Sequence, residues 1–64
     1  MKYRVVYEGK TGSTSYWTYS SEIIEVRGIV HAHTLANAHL KALEKLTELP
    51  LRIDKIMLLE AEAP

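Results

Sequence analysis

Leu35, His39, Ala42, Leu43, Leu46 and Leu49 recur at three- and four-residue steps between Thr34 and Pro50, which sets them on one face of a 3.6-period helix. The opposite face carries Asn37, Lys41, Glu44, Lys45 and Glu48, with Lys41/Glu44 and Lys45/Glu48 each three apart, the spacing of neighbouring side chains on a helix. Thr34 suits an N-cap, because its hydroxyl can accept from an orphan amide of the first turn. Pro50 ends the helix, since it has no amide hydrogen and biases Leu49 away from helical angles. The spacing therefore predicts a helix over residues 34–49.

Elsewhere the period is two. Tyr3, Val5 and Tyr7 alternate with Lys2, Arg4 and Glu8 in a first strand, and the glycine- and serine-rich run from Gly9 to Ser15 suits a reversal. Tyr16–Tyr19 is strand-favouring and pairs back as a hairpin, with Ser20 and Ser21 interrupting it. From Glu22 to Ala32 a third strand is expected, with Ile24, Val26, Val30 and Ala32 on one side and Ile23, Glu25, Arg27, Ile29 and His31 on the other. Gly28 marks a bulge within it. A last strand runs from Arg52 to Ala61, and the polar end Glu60–Pro64 is expected to fray. These elements make one small α+β domain over residues 1–64, ordered β-β-β-α-β: a three- to four-stranded, mainly antiparallel sheet with one helix on one face. Tyr3, Val5, Tyr7, Ile24, Val26, Val30 and Ala32 are expected beneath the helix.

A one-sided sheet should alternate apolar with polar, and this one carries a surplus. Val6, Ile23 and Ile29 fall on the uncovered face, and Ile56 and Leu58 join them if Met57 and Leu59 point at the helix. Exposed apolar surface of that kind marks an interface. Val6, Ile23, Ile29, Ile56 and Leu58 are therefore the expected homodimer interface, formed by stacking these faces or by pairing the last strand with its symmetry mate.

Length and composition sharpen that expectation. A core built from 64 residues is marginal unless a disulfide, a metal or a second copy adds to it. Cysteine is absent, which removes disulfides and thiolate metal sites and leaves oligomerisation. Eight basic residues balance eight acidic ones, so no net field draws in phosphate backbones or anionic lipid. Met1–Arg4 is not followed by an apolar leader and no apolar run approaches a membrane span, so the expected setting is cytoplasmic, with no membrane partner.

Candidate chemistry is sparse. His31 and His33 on one strand face could chelate a metal, but no acidic residue or cysteine between Ala32 and Lys41 completes a site. His39, amid the apolar helix face, suits a hydrogen-bonded core histidine. Gly9-Lys10-Thr11 resembles the end of a phosphate-binding loop, but Arg4 stands where that motif needs glycine. Ser20-Ser21-Glu22 has no base at a defined distance. No catalytic residue, metal ligand or cofactor is assigned. All five aromatics, Tyr3, Tyr7, Tyr16, Trp17 and Tyr19, lie in the first nineteen residues and each has a polar tip. Tyr16, Trp17 and Tyr19 are the candidate partner-binding set, against the alternative of a cross-strand ladder that only stabilises the hairpin.

Lys2-Tyr3-Arg4-Val5-Val6-Tyr7-Glu8, Ser15-Tyr16-Trp17-Thr18-Tyr19 and Gly28-Ile29-Val30-His31-Ala32-His33-Thr34-Leu35-Ala36-Asn37-Ala38 together resemble the HicB-like antitoxin domain. The likeness covers about residues 2 to 47. Ser20–Ile24 replaces that family's Pro-Asp-Leu-Pro-Gly stretch, and its DNA-binding extension is not seen after the last strand. The resemblance implies a small protein that binds and blocks another, as compact proteins of phages and mobile elements do. The expected function is a non-enzymatic protein-interaction module, a homodimer that binds or inhibits a larger protein. The alternatives are single-stranded nucleic-acid binding through Tyr16, Trp17 and Tyr19, and a small metal-binding protein using the histidines.

Overall fold

The computed structural model describes residues 1–11 and 15–60. The elements run β1 (Lys2–Thr11), β2 (Ser15–Glu25), α1 (Ile29–Thr47) and β3 (Leu51–Glu60). The sheet has three strands in the order β2-β1-β3, all antiparallel, and α1 packs mainly over β3. An α+β fold with an antiparallel sheet and a single helix is thus present, but its order is β-β-α-β. The reversal expected over Gly9–Ser15 is shorter than that: Gly9–Thr11 extend β1 and Ser15 opens β2, paired with each other and with Tyr16 and Trp17, and residues 12–14 lie outside the described residues. Of the end expected to fray, Glu60 closes β3, and residues 61–64 lie outside the described residues.

Other expected boundaries move as well. Ser20 and Ser21 do not end a strand: β2 runs through them, and an extra residue at Tyr19, between Thr18 opposite Glu8 and Ser20 opposite Tyr7, absorbs the irregularity as a bulge. The expected third strand is divided. Its first half, Glu22–Glu25, completes β2, whereas Ile29–Ala32 forms the first turn of α1. Gly28, extended at φ −175°, is the N-cap, and its carbonyl accepts from the Ala32 amide at 3.0 Å. Thr34 is not a cap but sits inside the helix, donating its hydroxyl to the Val30 carbonyl at 3.0 Å. The helix closes at Glu48, a left-handed residue with φ 58°, whose amide donates to the Glu44 carbonyl at 2.8 Å, two residues before Pro50.

This early start changes the phase of the buried stripe. Ala32 and Ala36 are the fully buried helical residues, with Leu35, Leu40 and Leu43 packed at the margin. Leu46, expected in the core, is 81% exposed, and Ala42 is exposed as well. Small side chains four apart let the helix axis approach the sheet, where Tyr3, Val5, Tyr7 and Ile24 receive it. Val30 is 72% exposed on the helix, not beneath it. Ala32 is buried, but from the helix side.

Residues directly opposite in an antiparallel pair share a face. Tyr3, Val5, Tyr7 and Gly9 lie opposite Leu58, Ile56, Ile53 and Leu51, so all four β3 residues face the helix side. Arg4, Val6 and Glu8, opposite Met57, Lys55 and Arg52, face away. Of the expected interface set, Val6 and Ile23 therefore share the face away from the helix, where Ile23 is exposed but Val6 is already buried in the single chain, Ile56 and Leu58 take the other face, and Ile29 belongs to α1. The reason is Asp54, an extra residue between the Tyr7–Ile53 and Val6–Lys55 pairs, which shifts the alternation of β3 by one.

Candidate functional site

The described residues span 46 × 19 × 14 Å, whereas a helix of 19 residues is about 28 Å long, so the hairpin end of the sheet extends past its cover. The aromatic residues of β2 sit on that end. Trp17 lies opposite Gly9, and a Cβ built on Gly9 would come within 3.1 Å of the indole and 3.2 Å of Leu51. Glycine is what allows the indole to pack this closely on the central strand. Trp17 stays 38% exposed, and the Tyr19 ring stands 5.7 Å away at a tilt of 51°.

Tyr16 is on the other face, opposite Lys10. The Arg52 guanidinium lies 3.4 Å over its ring and the Lys10 ammonium 5.4 Å, a cation–π arrangement. Arg52 is held in turn by Glu8, whose Oε1 accepts from Nε at 2.9 Å and lies 2.8 Å from a terminal guanidinium nitrogen. Tyr16, Trp17 and Tyr19 thus do not form one platform: period two separates Tyr16 from Trp17. The stacking face of Tyr16 is occupied by Arg52, and the charge of Arg52 is balanced by Glu8. Arg27, just beyond the Glu25–Lys2 pair, stands at the other end of the molecule.

At that far end α1 and the segment after β2 enclose an open groove of about 470 Å³, lined by Val26, Arg27, His31, Thr34, Leu35 and Ala38. Its walls are mainly apolar, with Arg27 and His31 supplying polar atoms. The lean of α1 toward β3 leaves this space on the β2 side.

Between the two ends lies a polar chain. The Tyr7 phenol donates to Glu22 Oε2 at 3.2 Å, and Glu22 Oε1 meets His39 Nδ1 at 2.5 Å. Burial, followed by the charge and hydrogen bond of Glu22, raises the Tyr7 phenol well above its ordinary pKa. His39 is hydrogen-bonded, as its place on the helix suggested, but its side chain is 41% exposed and sits at the margin of the core, not within it. Glu22 escaped the sequence reading, although a signal was there: it shares the two-residue phase of Ile24 and Val26, and a carboxylate at an inward position needs a donor. Glu22→Ala should cost about 1–3 kcal/mol, because it leaves the buried phenol without an acceptor. A urea midpoint unchanged from wild type would contradict this.

His31 and His33 do not form a chelating pair. Both are on α1, where residues two apart point about 200° away from each other, and His31 lines the groove while His33 is exposed. Among the described residues no group of three histidine, cysteine or acidic side chains is placed to hold a metal. No helix there is long and apolar enough to cross a membrane. Comparison with protein-family models, curated proteins and solved structures finds no match.

Proposed function

We propose that this chain is a small non-enzymatic interaction module of the cytoplasm, which forms a homodimer and binds or inhibits a larger protein. The observation that supports this reading is the division of the apolar residues. Tyr3, Val5, Val6, Tyr7, Ile24, Ala32, Ala36 and Leu51 are buried, while as many large apolar side chains stay exposed, among them Ile23, Ile29, Val30, Leu46, Leu58 and Leu59. Scattered apolar residues are ordinary on a surface, but here they equal the core in number, and each is worth about 1.5–3 kcal/mol when covered. Action on a partner in the manner of an antitoxin or a phage inhibitor is the form in which the HicB-like resemblance fits this surface.

Within that reading Trp17 is the anchor for the larger protein, since a rigid ring already laid across Gly9 loses little freedom on binding. Trp17→Ala should weaken capture of the partner by about 2 kcal/mol or more while the subunit stays folded. A tagged chain and this variant, compared in pull-downs from the native host with circular dichroism of each, check it. Equal capture by both proteins would remove Trp17 from the interface. A salt-sensitive shift of oligonucleotides by the wild type would favour single-stranded nucleic acid instead.

A further inference from the structure

We infer that β3 pairs antiparallel with β3 of a second copy about a two-fold axis between Asp54 and Lys55, so that two three-stranded sheets join into one of six. The inference rests on the homodimer reading above and says which surface carries it. Among the described residues β3 hydrogen-bonds to a strand on one side only, at β1, and its other edge offers a row of backbone donors and acceptors.

The sequence of β3 is self-complementary about that axis. In antiparallel register Leu51 meets the partner's Leu58, Ile53 meets the partner's Ile56, Arg52 meets the partner's Met57, and Asp54 meets the partner's Lys55. The symmetry repeats every pair. Faces match as well as chemistry: Leu51, Ile53, Ile56 and Leu58 all lie on the helix side, while Arg52 and Met57 lie on the other. They match because of the extra residue at Asp54. Without it Ile53 and Ile56, three apart, would point to opposite faces.

Neighbouring registers fail on charge. A slide by one residue sets Lys55 against the partner's Lys55, or Asp54 against the partner's Asp54, and it mixes the two faces. The proposed register instead places two opposite-charge contacts at the dyad. It also covers Leu58, which is 56% exposed in the single chain. Asp54 and Lys55 are themselves exposed, so exchanging them leaves the subunit core intact.

The test is a charge reversal read by sedimentation equilibrium of the full chain. Asp54→Lys and Lys55→Asp, each alone, create like-charge contacts at the dyad and should raise the dimer Kd by about tenfold or more. The double exchange restores opposite charges across the axis and should return Kd to about the wild-type value. As a second readout that needs no reversal, a nitroxide attached through Lys55→Cys is unique in this cysteine-free chain. Its spectrum should show dipolar broadening that vanishes on dilution with unlabelled protein. Dimers unaffected by the single reversals, an unrestored double exchange, or an unbroadened spectrum from a dimer would each overturn the β3 pairing while leaving homodimerisation in place. A wild-type chain that stays monomeric at high micromolar concentration would overturn both.

Discussion

Tyr7→Ala is expected to unfold most of this chain at room temperature. The ring is wholly buried in the central strand, among Val5, Ile24 and Ala36, where it joins the sheet to the helix. Truncating a buried aromatic side chain costs about 3–5 kcal/mol. A single core in a chain of 64 residues, with no cysteine to cross-link it, supplies in total about 3–5 kcal/mol. Urea titration followed by far-ultraviolet circular dichroism should therefore show little or no folded baseline. Tyr7→Phe keeps the ring and removes only the donor to Glu22, with an expected loss of about 1 kcal/mol.

The same pair of proteins separates the hydroxyl from the ring by pH. Burial first, and then Glu22, hold the folded phenol above its ordinary value of 10.0, so the unfolded chain releases this proton before the folded one does. The contribution is complete below the unfolded pKa and is lost as pH climbs past it, since the native state then binds more protons. Wild-type stability should fall more steeply than that of Tyr7→Phe above about pH 10. Parallel pH dependences in the two proteins would place the phenol in water.

Ala36→Leu is expected to lower stability by about 1–3 kcal/mol, because a branched side chain at the closest approach of helix and sheet has no space to enter. For a domain of this size that is a fall in Tm of about 5–20 °C. Ala42→Leu is the matched control. Ala42 belongs to the face marked by Leu35, Leu46 and Leu49, yet it is exposed, and the same substitution there should change stability by no more than about 0.5 kcal/mol. Thermal melts of the two variants decide the helix phase, and a larger loss at Ala42 would reverse it.

Much of this architecture was legible along the chain. Alternation determined that Tyr3, Val5 and Tyr7 line one face of a strand, because side chains of an extended backbone point to opposite faces in turn. Turn-forming residues ahead of Tyr16 determined that the aromatic segment pairs back on β1, although Gly9–Thr11, read as turn, belong to the strand. The place of His39 among apolar neighbours marked it for a hydrogen bond, and Leu43 and Pro50 marked the last turns of the helix. All of these rest on local preference, which neighbouring residues carry by themselves.

What tertiary structure decided were the places where local preference was divided. Ile29–Ala32 satisfies both a strand and a helix pattern, and burial of Ala32 in the core cluster favours the helix, which moves its start from Thr34 to Ile29 and turns Leu46 outward. Only pairing with β1 could assign the extra residue at Asp54, and that one position sets which face receives Ile56 and Leu58. The meeting of Tyr7, Glu22 and His39 joins three elements at the margin of the core, and the close seat of Trp17 requires Gly9 on the neighbouring strand. Contacts between residues distant in sequence leave no periodicity behind, so these features exist only once the strands and the helix have been brought together.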